Sequence, residues 1–99
     1  MHISGKMTEK NVEKAIKYGI SFLERQLDDI VIPKVKSTIL DYIKNNTNKD
    51  EAERQIRNLE SWYSELKDCI GQVEEYELII EQITKAYATK NKEVLLKLK

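Results

Sequence analysis

The sequence predicts an all-α protein that folds as a long antiparallel helical hairpin. Three observations lead to this fold class. Apolar side chains recur at spacings of three and four residues on both sides of one polar turn at residues 45–50. The two predicted arms, about residues 9–46 and about residues 51–89, have nearly equal lengths. The 99 residues include only three Gly and one Pro, too few for the tight turns of a β-sandwich or barrel.

The chain length suits one domain, and we expect a single helical domain over residues 8–99. Residues 1–7 lack the apolar segment of a signal peptide, and we expect them to form a disordered leader. Thr8 is the N-cap candidate of the first arm. A short helix over about residues 91–98 should pack on the arms, since it is too short to be stable alone.

The first arm carries a wide apolar stripe that is interrupted by Pro33. Around a helix the stripe covers roughly half of the circumference, which requires at least two packing neighbours. Its residues are Val12, Ala15, Ile16, Gly19, Ile20, Phe22, Leu23, Leu27, Ile30 and Val31. Proline lacks a backbone N–H and its ring clashes with the preceding turn, so the arm should be kinked or broken near residues 30–32. We favour the break, because Ile32 directly precedes the proline.

The second arm starts at a cap candidate, either Thr47 or Asn48. It then carries two parallel heptad seams, which indicates contact with two neighbouring helices. The main seam is Ile56, Leu59, Tyr63, Leu66, Ile70, Val73, Ile80 and Tyr87, and the second is Trp62, Cys69, Tyr76 and Ile83. The heptad phase passes through Gly71, so we favour a continuous helix with Gly71 at a point of close helix approach.

Charges support the hairpin as an independent pattern. An antiparallel register places Lys14 and Lys17 near Glu81 and Glu77, and Asp28 near Lys67. Further matches are Asp29 with Lys67, Lys36 with Glu60, Asp41 with Arg54 and Arg57, and Lys44 with Glu51 and Glu53. Each exposed pair contributes only about 0–1 kcal/mol, but together such pairs favour one register and orientation.

Residue types that carry catalysis or bind metals are scarce. The lone histidine, His2, lies in the leader, and the lone cysteine, Cys69, occupies a helical apolar position. The acidic residues Glu74, Glu75, Glu77 and Glu81 lack the histidines of a helical di-metal site. No glycine-rich phosphate loop is present. We therefore predict a non-enzymatic chain without cofactor or metal.

The location follows from the same composition. A single cysteine forms no internal disulfide and favours a reducing, cytoplasmic setting. The apolar runs are too short to cross a bilayer, and the formal net charge of zero gives no general attraction to lipid or nucleic acid. We therefore expect no association with membranes.

The surplus apolar surface predicts a protein–protein interaction module. A two-helix hairpin leaves part of each wide stripe uncovered, so a second copy, a different protein or the tail must cover it. We expect a homodimer that forms a four-helix bundle, a complex with another protein, or both. The role would be that of a small adaptor, chaperone or inhibitor, and inhibitors of host proteins carried by phages and mobile elements have this size and lack of catalytic residues. The predicted contact residues are Phe22, Trp62, Tyr76 and Ile83.

A nucleic-acid-associated regulator is the alternative. In the hairpin, lysines near both chain ends lie at the same open end of the molecule and would contact phosphates there. These lysines are Lys6, Lys10, Lys14, Lys90 and Lys92.

Overall fold

The computed structural model describes residues 9–45, 48–71 and 73–98. Within these ranges the chain is helical and forms no strand, which confirms the all-α class. The elements are α1 (Glu9–Gln26), a π-helical segment (Leu27–Val31), α2 (Ile32–Ile43), α3 (Lys49–Ile70), α4 (Glu74–Thr89) and α5 (Lys92–Leu96). The predicted leader, the Thr8 cap and Lys6 lie outside the described residues.

Helix α1, the π-helical segment and α2 follow one another without interruption and form one long helix. The break that we favoured at Pro33 is therefore wrong, and the chain instead widens its helix locally. The Ile32 N–H donates to the carbonyl of Leu27, five residues earlier, which is the π-helical spacing. Pro33 stands at the start of α2, where its missing N–H and its ring are accommodated beside this wider turn.

The hairpin itself is confirmed. Asn48 caps α3, because its side-chain oxygen accepts a hydrogen bond of 2.7 Å from the backbone N–H of Glu51. The start of α3 lies beside α2, where Lys34 acts on Glu51 electrostatically. The end of α3 lies beside α1, since Cys69 and Ile16 line the same groove. Helix α3 therefore runs antiparallel to the long helix.

The second arm is broken at Gly71, so the continuous helix that we favoured is wrong. Helix α3 ends at Ile70, and Gly71 has a φ of 83°, which an L-residue with a side chain rarely adopts. Its N–H donates to the carbonyl of Lys67 at 2.6 Å, which closes the last turn. A Cβ atom at Gly71 would meet nothing within 4 Å, so the glycine serves a chain reversal and not a close helix approach.

The reversal at Gly71 folds α4 back along the hairpin, parallel to the long helix. Near its start, the Tyr76 hydroxyl donates to the Asp28 carboxylate at 3.0 and 3.1 Å. At its other end, the ring of Tyr87 lies 5.1 Å from that of Tyr42, centroid to centroid. Helix α5 then covers α4 and α2 and buries Leu95 completely. The predicted tail helix is confirmed, with Asn91 as its cap.

The predicted cross-arm ion pairs do not form. Within the described ranges the ion pair present is Arg54–Glu51, which lies inside α3. For the pairs of Lys14 and Lys17 with Glu81 and Glu77 the cause is again Gly71, because α4 runs opposite to the direction that the register assumed. Two of the acidic side chains accept hydrogen bonds from tyrosines instead: Asp28 from Tyr76 and Glu77 from Tyr63.

A candidate protein-interaction surface

The long helix is covered along one half and open along the other. On α2, Val35 and Ile39 have no exposed surface, because α3, α4 and α5 all pack on this half. On α1, every residue from 10 to 18 is exposed. The exposed large apolar side chains of α1 are Val12 (38%), Ile16 (51%), Tyr18 (76%) and Phe22 (47%). The molecule is accordingly elongated, with extents of 55 × 26 × 17 Å.

An open groove of about 520 Å³ lies where the end of α3 meets α1. We define it by its lining residues, which are Val12, Ala15, Ile16, Gly19, Asp68 and Cys69. Gly19 forms a low point on its floor, because a Cβ atom there would meet nothing within 4 Å. The groove therefore offers apolar walls around a space that side chains of another helix fit.

Much of the groove lies on the side of the hairpin opposite to α4. Glu24 acts electrostatically on Tyr76 of α4, so it lies on the side of α1 that faces α4. Ala15 is nine residues before Glu24, which places it on the opposite side of the helix. Phe22 follows Ala15 by seven residues and lies on the same side of α1. On α3, Trp62 precedes Cys69 by seven residues and shares its side. We call the open groove together with Phe22 and Trp62 the uncovered face.

Towards α2 the same side of α3 becomes polar. Gln55, seven residues before Trp62, is only 5% exposed, and its amide N–H donates to Glu51 at 2.9 Å. Hydrogen bonds from Gln55 and from Arg54 lower the pKa of Glu51 below its ordinary value. The ionised form of this carboxylate is thus favoured beside Arg54. The uncovered face therefore ends at Trp62, and apolar contact is confined to the α1 half.

The predicted contact residues separate into two groups. Phe22 and Trp62 lie on the uncovered face, Phe22 about half exposed and Trp62 half-buried. Ile83 has no exposed surface and Tyr76 is 8% exposed, because both pack inside the chain. Their assignment to an intermolecular contact is corrected: the reversal at Gly71 lets this seam meet the chain's own long helix.

Ile16 is the main residue of the groove that our predicted contacts omit. Its spacing predicts a position on the apolar stripe, which is usually buried. It is exposed because α3 ends at Ile70, so the neighbours stop before the start of α1 is covered. The sequence signal that would have identified it is Gly71, because glycine is the residue that most often ends a helix and reverses the chain.

The lysines of the alternative prediction lie at opposite ends of the molecule. Lys90 lies over the ring of Tyr42, with its Nζ 5.1 Å from the centroid, at the end where α2 joins α3. Lys92 follows Lys90 closely in the chain, at the start of α5. Lys10 is on the same long helix as Tyr42 but 32 residues earlier, roughly 48 Å along the axis. Lys14 lies near Lys10, so the predicted basic end is not assembled.

A second, smaller apolar groove of about 350 Å³ lies between α4 and α5. Leu78, 58% exposed, lines it, and Leu96, 61% exposed, lies on α5. Glu75, Gln82 and Lys97 also line this groove, which makes it more polar than the open groove.

In the part of the chain that the structure describes, no three His, Cys, Asp or Glu side chains are grouped so as to hold a metal ion. Among the same residues, no helix is long and apolar enough to cross a membrane. Comparisons with protein-family models, curated proteins and solved structures gave no match to the chain.

Proposed function

We propose that this chain is a non-enzymatic protein-interaction module that binds another protein chain through the uncovered face. The observation that supports this proposal is the open groove, whose apolar side chains continue the stripe that α2 buries. Contiguous exposed apolar surface is uncommon on monomeric proteins and usually marks an interaction site. An adaptor, a chaperone or an inhibitor would each use such a face.

The chemistry of the face suits a helical partner. The groove lies between two helices, and Gly19 and Ala15 keep its floor low. A third helix with apolar residues at spacings of three and four would bury Ile16 and Phe22 in the way that α3, α4 and α5 cover α2 around Ile39. Trp62 supplies an aromatic side chain at the rim, the residue type that most often dominates binding energy.

The test compares one substitution on the uncovered face with a matched one elsewhere. Ile16→Asp places a charge in the open groove, and Leu96→Asp places the same charge on α5, where the side chain is similarly exposed. The immobilised wild-type chain and both variants are incubated with an extract of the source cells. Bound proteins, further copies of the chain included, are quantified by mass spectrometry.

We expect Ile16→Asp to reduce specific retention about tenfold or more, because burying an unpaired carboxylate costs more than 1.4 kcal/mol. Leu96→Asp should leave retention unchanged. Circular dichroism checks that both variants keep the helicity of the wild type. Equal retention by all three chains would contradict the proposed function.

A further inference from the structure

We infer that the occupant of the uncovered face is a second copy of this chain, so that α1 of each copy lies along α3 of the other. This inference rests on the proposed function, because it names the partner of the same face. Two observations support it beyond the apolar groove: the distribution of charge along the edges of the face, and the antiparallel register of α1 and α3.

The α1 edge of the uncovered face is basic. Lys14 directly precedes Ala15 in the sequence. Arg25 follows Lys14 by eleven residues, which is about three full turns, so both residues lie on nearly the same side of α1. Both side chains are exposed, and among the described residues neither forms an ion pair. Tyr18, 76% exposed, lies between them on the same line. The edge thus offers two cations around an exposed aromatic ring.

The α3 edge is acidic. Asp68 lines the open groove, and Glu65 lies three residues after Trp62 and four before Cys69 on the side away from α4. Tyr63, two residues before Glu65, contacts Glu77 of α4, which fixes the orientation of α3. Asp68 and Glu65 are exposed and, like the two cations, form no ion pair within the described ranges.

A two-fold axis parallel to the helices joins these edges. In an isologous contact each residue pairs with its counterpart twice, so a face with one basic and one acidic edge is complementary to itself. Within one chain, Asp68 and Ala15 already line one groove. A two-fold axis in this direction does not change a residue's position along the helices, so Lys14 of one copy reaches Asp68 of the other, while Arg25 lies about two helical turns beyond the level of Glu65. The apolar side chains then meet around Gly19.

Charge reversal gives a sharp test. The acidic variant, Lys14→Glu with Arg25→Glu, has two acidic edges, and the basic variant, Glu65→Lys with Asp68→Lys, has two basic edges. Each variant alone should raise the dimer dissociation constant by about tenfold or more, since symmetry turns both attractive contacts between Lys14 and Asp68 into repulsive ones. The two variants mixed in equal amounts should form a heterodimer, and the variant with all four changes should regain self-association.

The oligomeric state is measured by light scattering after size exclusion and by sedimentation equilibrium over a concentration series. The chain carries its own reporters on the face: its one tryptophan, Trp62, and its one cysteine, Cys69. Association should shift the Trp62 emission and slow the reaction of Cys69 with a maleimide. Lys34→Glu with Lys85→Glu, outside the face, is the control for net charge and should dimerise as the wild type does.

A wild-type chain that stays monomeric at millimolar concentration would overturn the inference. So would a dimer that both charge variants leave unchanged. Neither result would contradict the proposed function if retention of a different protein still depends on Ile16 in the capture experiment. Loss of that dependence as well would overturn both proposals, so the two failures are distinguishable.

Discussion

The two halves of the long helix carry apolar residues at similar spacings but have different surroundings. On α2, Ile39 is buried by three other helices, whereas on α1, Ile16 is half exposed beside the end of α3. The difference does not arise from the long helix itself. It arises because α3 stops at Ile70 and α4 turns back towards α2, away from the start of α1. A single chain reversal therefore determines which half is core and which half forms the candidate interaction surface.

The largest expected effect tests this contrast directly. Ile39→Ala removes a completely buried side chain and should lower the free energy of unfolding by about 2–5 kcal/mol. Ile16→Ala changes the same residue type on the same helix, where about half of the side chain is already exposed. Its cost should stay under about 1 kcal/mol. Urea denaturation of dilute, monomeric protein measures both values, and equal losses would mean that both halves are covered alike.

The next effect concerns the reversal that creates the contrast. Gly71→Ala forces a side chain into a φ of 83° and should destabilise the fold by about 1–3 kcal/mol. Gly19→Ala is the matched change inside a regular helix with open space around it, and it should stabilise the fold by up to about 1 kcal/mol.

The opposite signs are the informative result. In a continuous second arm, alanine at position 71 would extend a good helix and stabilise it as alanine at position 19 does. Thermal unfolding followed by circular dichroism separates the two cases. A higher melting temperature for Gly71→Ala than for the wild type would contradict the chain reversal.

Local patterns in the sequence predicted more of this molecule than its long-range arrangement. The spacing of apolar residues predicted the helices. Asn48 was one of two cap candidates at the hairpin turn, and in the structure its side chain accepts a hydrogen bond from a free N–H of α3. The break at Gly71 was missed because the heptad spacing in the sequence of α3 and α4 is the same whether or not the chain leaves the helix between Ile70 and Glu74. At Pro33 the error was the opposite one: a break was predicted, but a π-helical turn before the proline keeps the helix continuous.

The candidate site was affected by the same error. Tyr76 and Ile83 lie on a seam that packs against another helix. The spacing of apolar residues in the sequence does not say whether that helix belongs to the same chain. Phe22 and Trp62 were assigned to contacts and lie on the uncovered face. Whether they bind a partner stays a prediction.

The smallest effect sits at the boundary between the two halves, where Tyr76 joins the start of α4 to the π-helical segment. Burial, the hydrogen bond to Asp28 and the charge of that carboxylate raise the pKa of the Tyr76 hydroxyl above its ordinary value. The folded chain thus holds this proton more tightly than the unfolded chain does. The resulting stability is present below pH 10, the ordinary value, and is lost as the pH rises through the raised pKa of the folded state.

Tyr76→Phe removes the hydrogen bond and should cost about 1 kcal/mol at neutral pH. It should also reduce, without abolishing, the loss of stability above pH 10, because burial raises the pKa of Tyr63 and Tyr87 in the same direction. Tyr18→Phe, at a 76% exposed position on α1, is the control and should leave neutral stability unchanged. Urea unfolding at neutral and alkaline pH compares the three chains. If Tyr76→Phe lost as much stability on alkalinisation as the wild type, the contact with Asp28 would not anchor α4, and the covered half would begin further along α2.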